Sequence, residues 1–323
     1  MTRRGIIALD GRAPSHPSEV SAMTTDPVIT LGTAAFNARL SPAHGGIISA
    51  LDWVAPSGRR HALLYNPEGV VPGLAAPNRF GLWPMVPFAN RAFGGRVDDG
   101  SQVLHLPIND PAMNATIHGF GWQSRWEVEQ HEPARITLVH ARLEGDDPYR
   151  YRAALTLTLH DEQVRLALTL TNLAERVLPF GAGFHPWFVC ADDTELAMTS
   201  RRELVLGPGY RATGVRSLPD GGPFGAGRPV RQAGELAVSY VDWVGEAVFS
   251  TPSTGLALCV DASDSFRHPV LWTPPGSGFV CFEPQSHGIG APSDAATRAV
   301  TPLKALGPGE NLEGWMTITP REL

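Results

Sequence analysis

Cysteine is scarce: Cys190, Cys259 and Cys281 are the only three in 323 residues, widely separated and without paired C-x-x-C spacing. That excludes a disulfide framework and a structural zinc ribbon, and it reads as buried thiols in a reducing compartment, so the expected location is cytoplasmic. Charge is sparse as well. Only 18% of residues are Asp, Glu, Lys or Arg, and the formal net charge is −6. With no basic stripe, neither nucleic acid nor an anionic membrane is an expected partner. No run approaches the ~20 apolar residues of a membrane span. Near the N-terminus the apolar run at residues 6–9 is too short for the core of a signal peptide. Helical periodicity is also missing, with residues 294–303 suggesting at best one short turn. The chain lacks G-x-S-x-G and a phosphate-cradling Gly-x-x-x-x-Gly-Lys loop. His105, His118, His140, His185 and His287 show no H-x-H or H-x-x-x-H spacing, so no metal is expected.

Glycine and proline, by contrast, are abundant and dispersed, at 34 and 29 residues, which suits a fold with many tight turns. Leu155, Leu157 and Leu159 alternate with Thr156, Thr158 and His160. Beyond the polar turn Asp161-Glu162-Gln163, Val164, Leu166, Leu168 and Leu170 alternate with Arg165, Ala167, Thr169 and Thr171. Two period-two runs joined by a short loop predict a long antiparallel hairpin with one buried face. Further strands are expected at residues 135–140, 236–241, 247–250, 255–260, 278–282 and 313–319. The expected fold class is all-β, a large antiparallel β-sandwich. Residues 1–26 read as a disordered extension, of which 1–22 could instead reflect an upstream start codon, because Met23 precedes the first strand-like sequence. Residues 27–323 read as one domain.

Five segments combine polar chemistry with local rigidity. Pro84-Met85-Val86-Pro87 stiffens the approach to Asn90-Arg91, where a planar guanidinium suits vicinal hydroxyls or a carboxylate; Asn78-Arg79 reads as a decoy because no glycines follow. His118 stands beside Gly119 among aromatics. His185 lies in Phe184-His185-Pro186-Trp187-Phe188, an imidazole between aromatic rings and a proline. Asp242 precedes Trp243 in a strand-like run. Glu283 opens Glu283-Pro284-Gln285-Ser286-His287, and strand alternation puts it on the face of Phe279 and Cys281, so it is expected to face inward. Burial would raise its pKa and suit it to act as a general base. Each segment also has a plain structural reading, as a turn arginine, a core histidine or a strand-end carboxylate facing water.

Taken in order, Asn90-Arg91, His118-Gly119, His185-Pro186-Trp187-Phe188, Asp242, Glu283-Pro284 and the terminal Leu306-Gly307-Pro308-Gly309-Glu310 resemble the aldose 1-epimerases, or galactose mutarotases. The resemblance runs from about residue 27 to the end. It implies the galactose mutarotase-like supersandwich, no cofactor and a sugar in an open cleft. By motif, Glu283 matches the catalytic base and His185 the catalytic acid, while Arg91, His118 and Asp242, with Asn90 beside them, match residues that hold the sugar. Trp187 stands where tyrosine is common, Trp243 follows Asp242 directly, and Gln285-Ser286-His287 departs from the best-known members. The resemblance implies a hexose or related aldose as substrate and leaves monomer and homodimer equally open.

Two alternatives remain on the same fold. A hexose-6-phosphate 1-epimerase would need a basic cluster, for which Arg201, Arg202, Arg211 and Arg216 are candidates. A non-catalytic sugar-binding module would keep the cleft without turnover. A β-sandwich lyase or hydrolase would want a second carboxylate or a tyrosine, and the tyrosines fall outside the motifs.

Overall fold

The hairpin is built as its periodicity requires. A computed structural model, describing residues 28–67, 79–231 and 234–323, pairs strands Tyr151–Leu159 and Val164–Asn172 with Leu155 opposite Leu168 and Leu157 opposite Leu166. Alternate residues of both strands are buried throughout. Each buried leucine contributes about 1.5–3 kcal/mol relative to exposure, and a one-residue slip would turn all of them toward water. The expectations for residues 1–26 and for Asn78 lie outside the described residues.

From this hairpin an antiparallel sheet extends in both directions. Arg135–Arg142 flanks Tyr151–Leu159. On the other side come the closing strand Asn311–Glu322, then Leu256–Ala262, then Leu236–Thr251, then Glu195–Leu206. The chain is thus an antiparallel all-β protein.

Two expectations needed adjustment. The strands expected at 236–241 and 247–250 are one strand, Leu236–Thr251. Positive φ at Asp242 (58°) and Gly245 (103°) bends it, and its pairing with Glu195–Leu206 shifts register across the bend, between Trp243 and Ala247, which erases alternation locally. Residues 294–303 hold a true helix, Ala295–Val300, whose Asp294 side chain accepts a 2.7 Å bond from the Thr297 amide. The cysteines form no disulfide, although Cys259 is only half-buried.

Strand Gly183–Val189 positions the site. It pairs with Leu82–Met85 on one edge and Phe279–Glu283 on the other. Phe279–Glu283 pairs in turn with Val270–Thr273, which joins the first half of Leu236–Thr251. Behind this layer Phe184, Phe188, Phe249 and Phe282 belong to the main core.

Candidate active site

Register alone brings the two candidate catalytic groups together. Trp187 lies opposite Cys281 in an antiparallel pair; two residues back on one strand and two forward on the other set His185 against Glu283. His185 Nε2 and Glu283 Oε1 are 3.3 Å apart, and both side chains are almost fully buried. The imidazole is stacked on Trp83, its cross-strand neighbour, at 4.3 Å between centroids and 27° between planes. Trp187 stacks more distantly at 5.7 Å, and His118 meets the ring edge-on at 5.1 Å. These contacts hold the ring in one orientation.

Burial displaces both titrations. It pushes the His185 imidazolium down to about 3, assisted by the nearby Arg91 charge, and pushes the Glu283 carboxyl up to about 8 against the pull of Arg91. Between those limits the dyad holds one proton, which burial places on Glu283. A protonated His185 facing a Glu283 carboxylate is the tautomer of this state, with the same proton count. Desolvation thus disfavours both members of an imidazolium–carboxylate pair. Glu283 Oε2 and His185 Nδ1 have no hydrogen-bond partner among the described residues.

The dyad borders a cleft of about 590 Å³. Asn90, Arg91 and His118 line one part of it. Asn90 and His118 adopt left-handed φ of 52° and 57°, which L-residues other than asparagine or aspartate rarely take. Gly119 follows at φ +64, where a Cβ would lie 2.3 Å from the Val86 carbonyl oxygen. That close approach explains the His-Gly pair. The Asn90 amide donates to His118 Nδ1 at 3.1 Å, so the neutral ring carries its proton on Nε2. Burial, with the neighbouring His185 and Arg91, holds His118 well below the usual histidine range. Arg91 donates to Asn90 Oδ1 at 3.2 Å, and its guanidinium lies 4.9 Å from the Tyr210 ring centroid. Across from these, Ala237, Val270, Trp272, Phe279 and Ile289 form an apolar wall.

The structure does not bring Asp242 to the cleft. Its left-handed bend turns the carboxylate to Arg202, which donates through Nε at 2.9 Å and Nη2 at 2.6 Å. Ala237, five residues earlier on that strand, lines the cleft instead. Arg201, Arg202, Arg211 and Arg216 form no basic subsite there: none lines the cleft. Arg202 is held by Asp242, Arg216 is paired with Glu203, and Arg211 lies over the Phe93 ring at 4.1 Å.

A metal-like grouping of side chains among the described residues consists of Glu246, Cys259 and Asp261, away from the cleft, and includes none of the five histidines considered. Burial and the two carboxylates push the Cys259 thiol up to about 12.

A profile of the aldose 1-epimerase family matches residues 40–319. The chain belongs to the aldose 1-epimerase family. Within the comparisons, the uncharacterized protein YphB of Escherichia coli (strain K12) is 27% identical over 244 residues, spanning 73% of this chain and 82% of its own length. A putative aldose 1-epimerase of Escherichia coli K12 superposes with a TM-score of 0.80 at 23% identity, covering 92% of this chain and 99% of that one. A galactose mutarotase-like protein of Clostridium acetobutylicum gives 0.80 at 18% identity, covering 92% and 95%. These two structures establish the fold.

Lining residues of this aldose 1-epimerase family member that the family motifs do not mark include Tyr65, Arg79, Tyr210 and Trp272. Arg79, set aside as a decoy, is exposed but borders the cleft. Tyr210 sits in a turn at φ 59°, and its hydroxyl and Trp272 Nε1 both donate to Glu235 Oε1 at 2.7 Å. No local pattern marks these residues. The Pro208-Gly209 pair before Tyr210 was the one available signal of a sharp turn.

Proposed function

We propose that this protein interconverts the α and β anomers of a free aldose, with Glu283 as base, His185 as acid, and Arg91, His118 and Asn90 holding the sugar. The observation that carries this reading is the 3.3 Å contact between His185 and Glu283 at the cleft, a dyad that shares one proton. Sugar hydroxyls donating to Glu283 Oε2 would favour its carboxylate and move the proton to His185. Glu283 then takes the anomeric hydroxyl proton as the C1–O1 double bond forms. The C1–O5 bond breaks with its electron pair passing to the ring oxygen, which takes the proton from His185. Rotation about C1–C2 and reversal of both transfers closes the ring on the other face, with no net change in protons. Each positioned group supplies about 10²–10⁴-fold in rate.

Polarimetry of freshly dissolved α-galactose and α-glucose tests this. The expected result is a faster approach to the same final rotation, lost in Glu283→Gln. Unchanged rates for every aldose offered, with sugar still bound, would leave a binding module. Arg79 on the cleft border favours, as a second reading, a phosphorylated aldose, so glucose 6-phosphate belongs in the panel.

A further inference from the structure

His287 is a fully buried histidine that the proposed chemistry does not use. Its Nδ1 pairs with the Gly288 carbonyl oxygen at 3.0 Å, and Nε2 accepts the Ala89 amide at 3.2 Å. The next amide in the chain, Asn90, is accepted by His118 Nδ1 at 3.1 Å. Two consecutive amides are thus read by two histidine rings, from segments 28 and 198 residues away. The His118 amide also donates to the Asn90 carbonyl oxygen at 2.8 Å, and the Gly181 amide donates to the Pro87 carbonyl oxygen at 2.7 Å. Gly181 is matched to the ring: a Cβ there would lie 2.3 Å from His287 Cδ2.

This clamp sits under the residue whose left-handed φ, 52° at Asn90, directs the chain into Arg91. Asparagine can take a left-handed φ, but its surroundings must still select that turn over the alternatives. An acceptor on each of the two amides does that, and each ring can accept only when neutral with its proton on the other nitrogen.

We propose that His287, as the Nδ1–H tautomer, is a positioning residue that sets the Ala89–Asn90 turn and through it aims Arg91 into the cleft. Its role in turnover rests on the mutarotase reading, whereas the clamp can be read without any sugar. In His287→Leu the acceptor is lost, and in His287→Gln the Oε1 oxygen can replace Nε2. Because Arg91 grips the sugar before and during reaction, the leucine variant is expected to raise KM about tenfold with kcat within about threefold, and the glutamine variant to restore KM. Hydrogen exchange at the Ala89 and Asn90 amides should accelerate by on the order of 100-fold in His287→Leu and stay slow in His287→Gln. In the unmutated protein, nitrogen-15 shifts of His287 should report a proton on Nδ1 and a bare Nε2, a measurement that stands even if a variant fails to fold.

A proton on Nε2, or a folded His287→Leu with unchanged Ala89 exchange, or a glutamine variant as impaired as the leucine one, overturns the proposal. If the unmutated protein accelerates mutarotation of no sugar, the functional reading falls, and the exchange rates and nitrogen shifts still decide the clamp.

Discussion

Glu283 and Asp242 stand on strands of the same sheet, and each faces a basic side chain from a neighbouring strand. The Glu283–His185 pair has side chains 4% and 8% exposed, walled by Trp83, Trp187 and His118. In the Asp242–Arg202 pair the side chains are 39% and 37% exposed, with two donated bonds onto one carboxylate oxygen. Water solvates the second pair in either partner's absence, which makes it a modest surface tie. Burial leaves the first pair little exposure to solvent, and desolvation disfavours the charge on each of its groups. Sequence placed both carboxylates beside aromatic residues. Solvent access separates them.

The sharpest way to break this contrast is to neutralise each acid. Glu283→Gln should lower kcat/KM by about 10²–10⁴-fold, and a polarimetric loss under tenfold would remove Glu283 as base. Smaller, but more diagnostic, is the pH profile. Above about 8 the Glu283 carboxyl has lost its proton while His185 is already neutral, so no acid remains for the ring oxygen. The ratio kcat/KM, which reports the free protein, should fall about tenfold per pH unit there and hold level down toward the His185 titration near 3. A flat profile from pH 7 to pH 10 would contradict the shared proton.

Stability sharpens the comparison from the folding side. The Glu283 carboxyl is raised from 4.5 to about 8. Between those values the folded chain keeps a proton that the unfolded chain releases, so this group's contribution falls by about 1.4 kcal/mol per unit as pH rises. Glu283→Gln lacks that loss. Its stability relative to the unmutated protein should therefore improve by on the order of 4 kcal/mol from pH 5 to pH 8 in urea titrations. His185, depressed from 6.5 to about 3, has the opposite slope below 6.5 but is present in both proteins. Equal pH dependence of the two would show that Glu283 is solvated. Asp242→Asn should do least, with less than about twofold in kcat/KM and at most ~1 kcal/mol of stability. A loss comparable to that of Glu283→Gln would restore Asp242 to the site.

Much of this was legible beforehand because it is local. Alternation over residues 155–171 requires one buried face, and it gave the hairpin its register. Glu283 and His185 stood out because rigid apolar neighbours around a titratable group leave a trace in a few consecutive letters. Trp272 left none, Tyr210 only the turn signal of Pro208-Gly209, and Arg79 was set aside for want of following glycines: they reach the cleft from separate turns and strands, and nothing within a few residues records what lies across a cleft. Asp242 was misplaced for a related reason. A left-handed bend at a non-glycine residue has no reliable letter, yet it decides which way the carboxylate points.

By itself, then, the chain's order of letters determined the all-β class, the hairpin register and the identity of the buried acid and imidazole, since periodicity and rigidity act over a few residues. Tertiary structure alone decided the 3.3 Å meeting of His185 with Glu283, the burial that displaces their titrations, and the holding of the Ala89 and Asn90 amides by two distant histidines. Desolvation and hydrogen-bond pairing are set by neighbours far apart along the chain, and only folding brings those neighbours together.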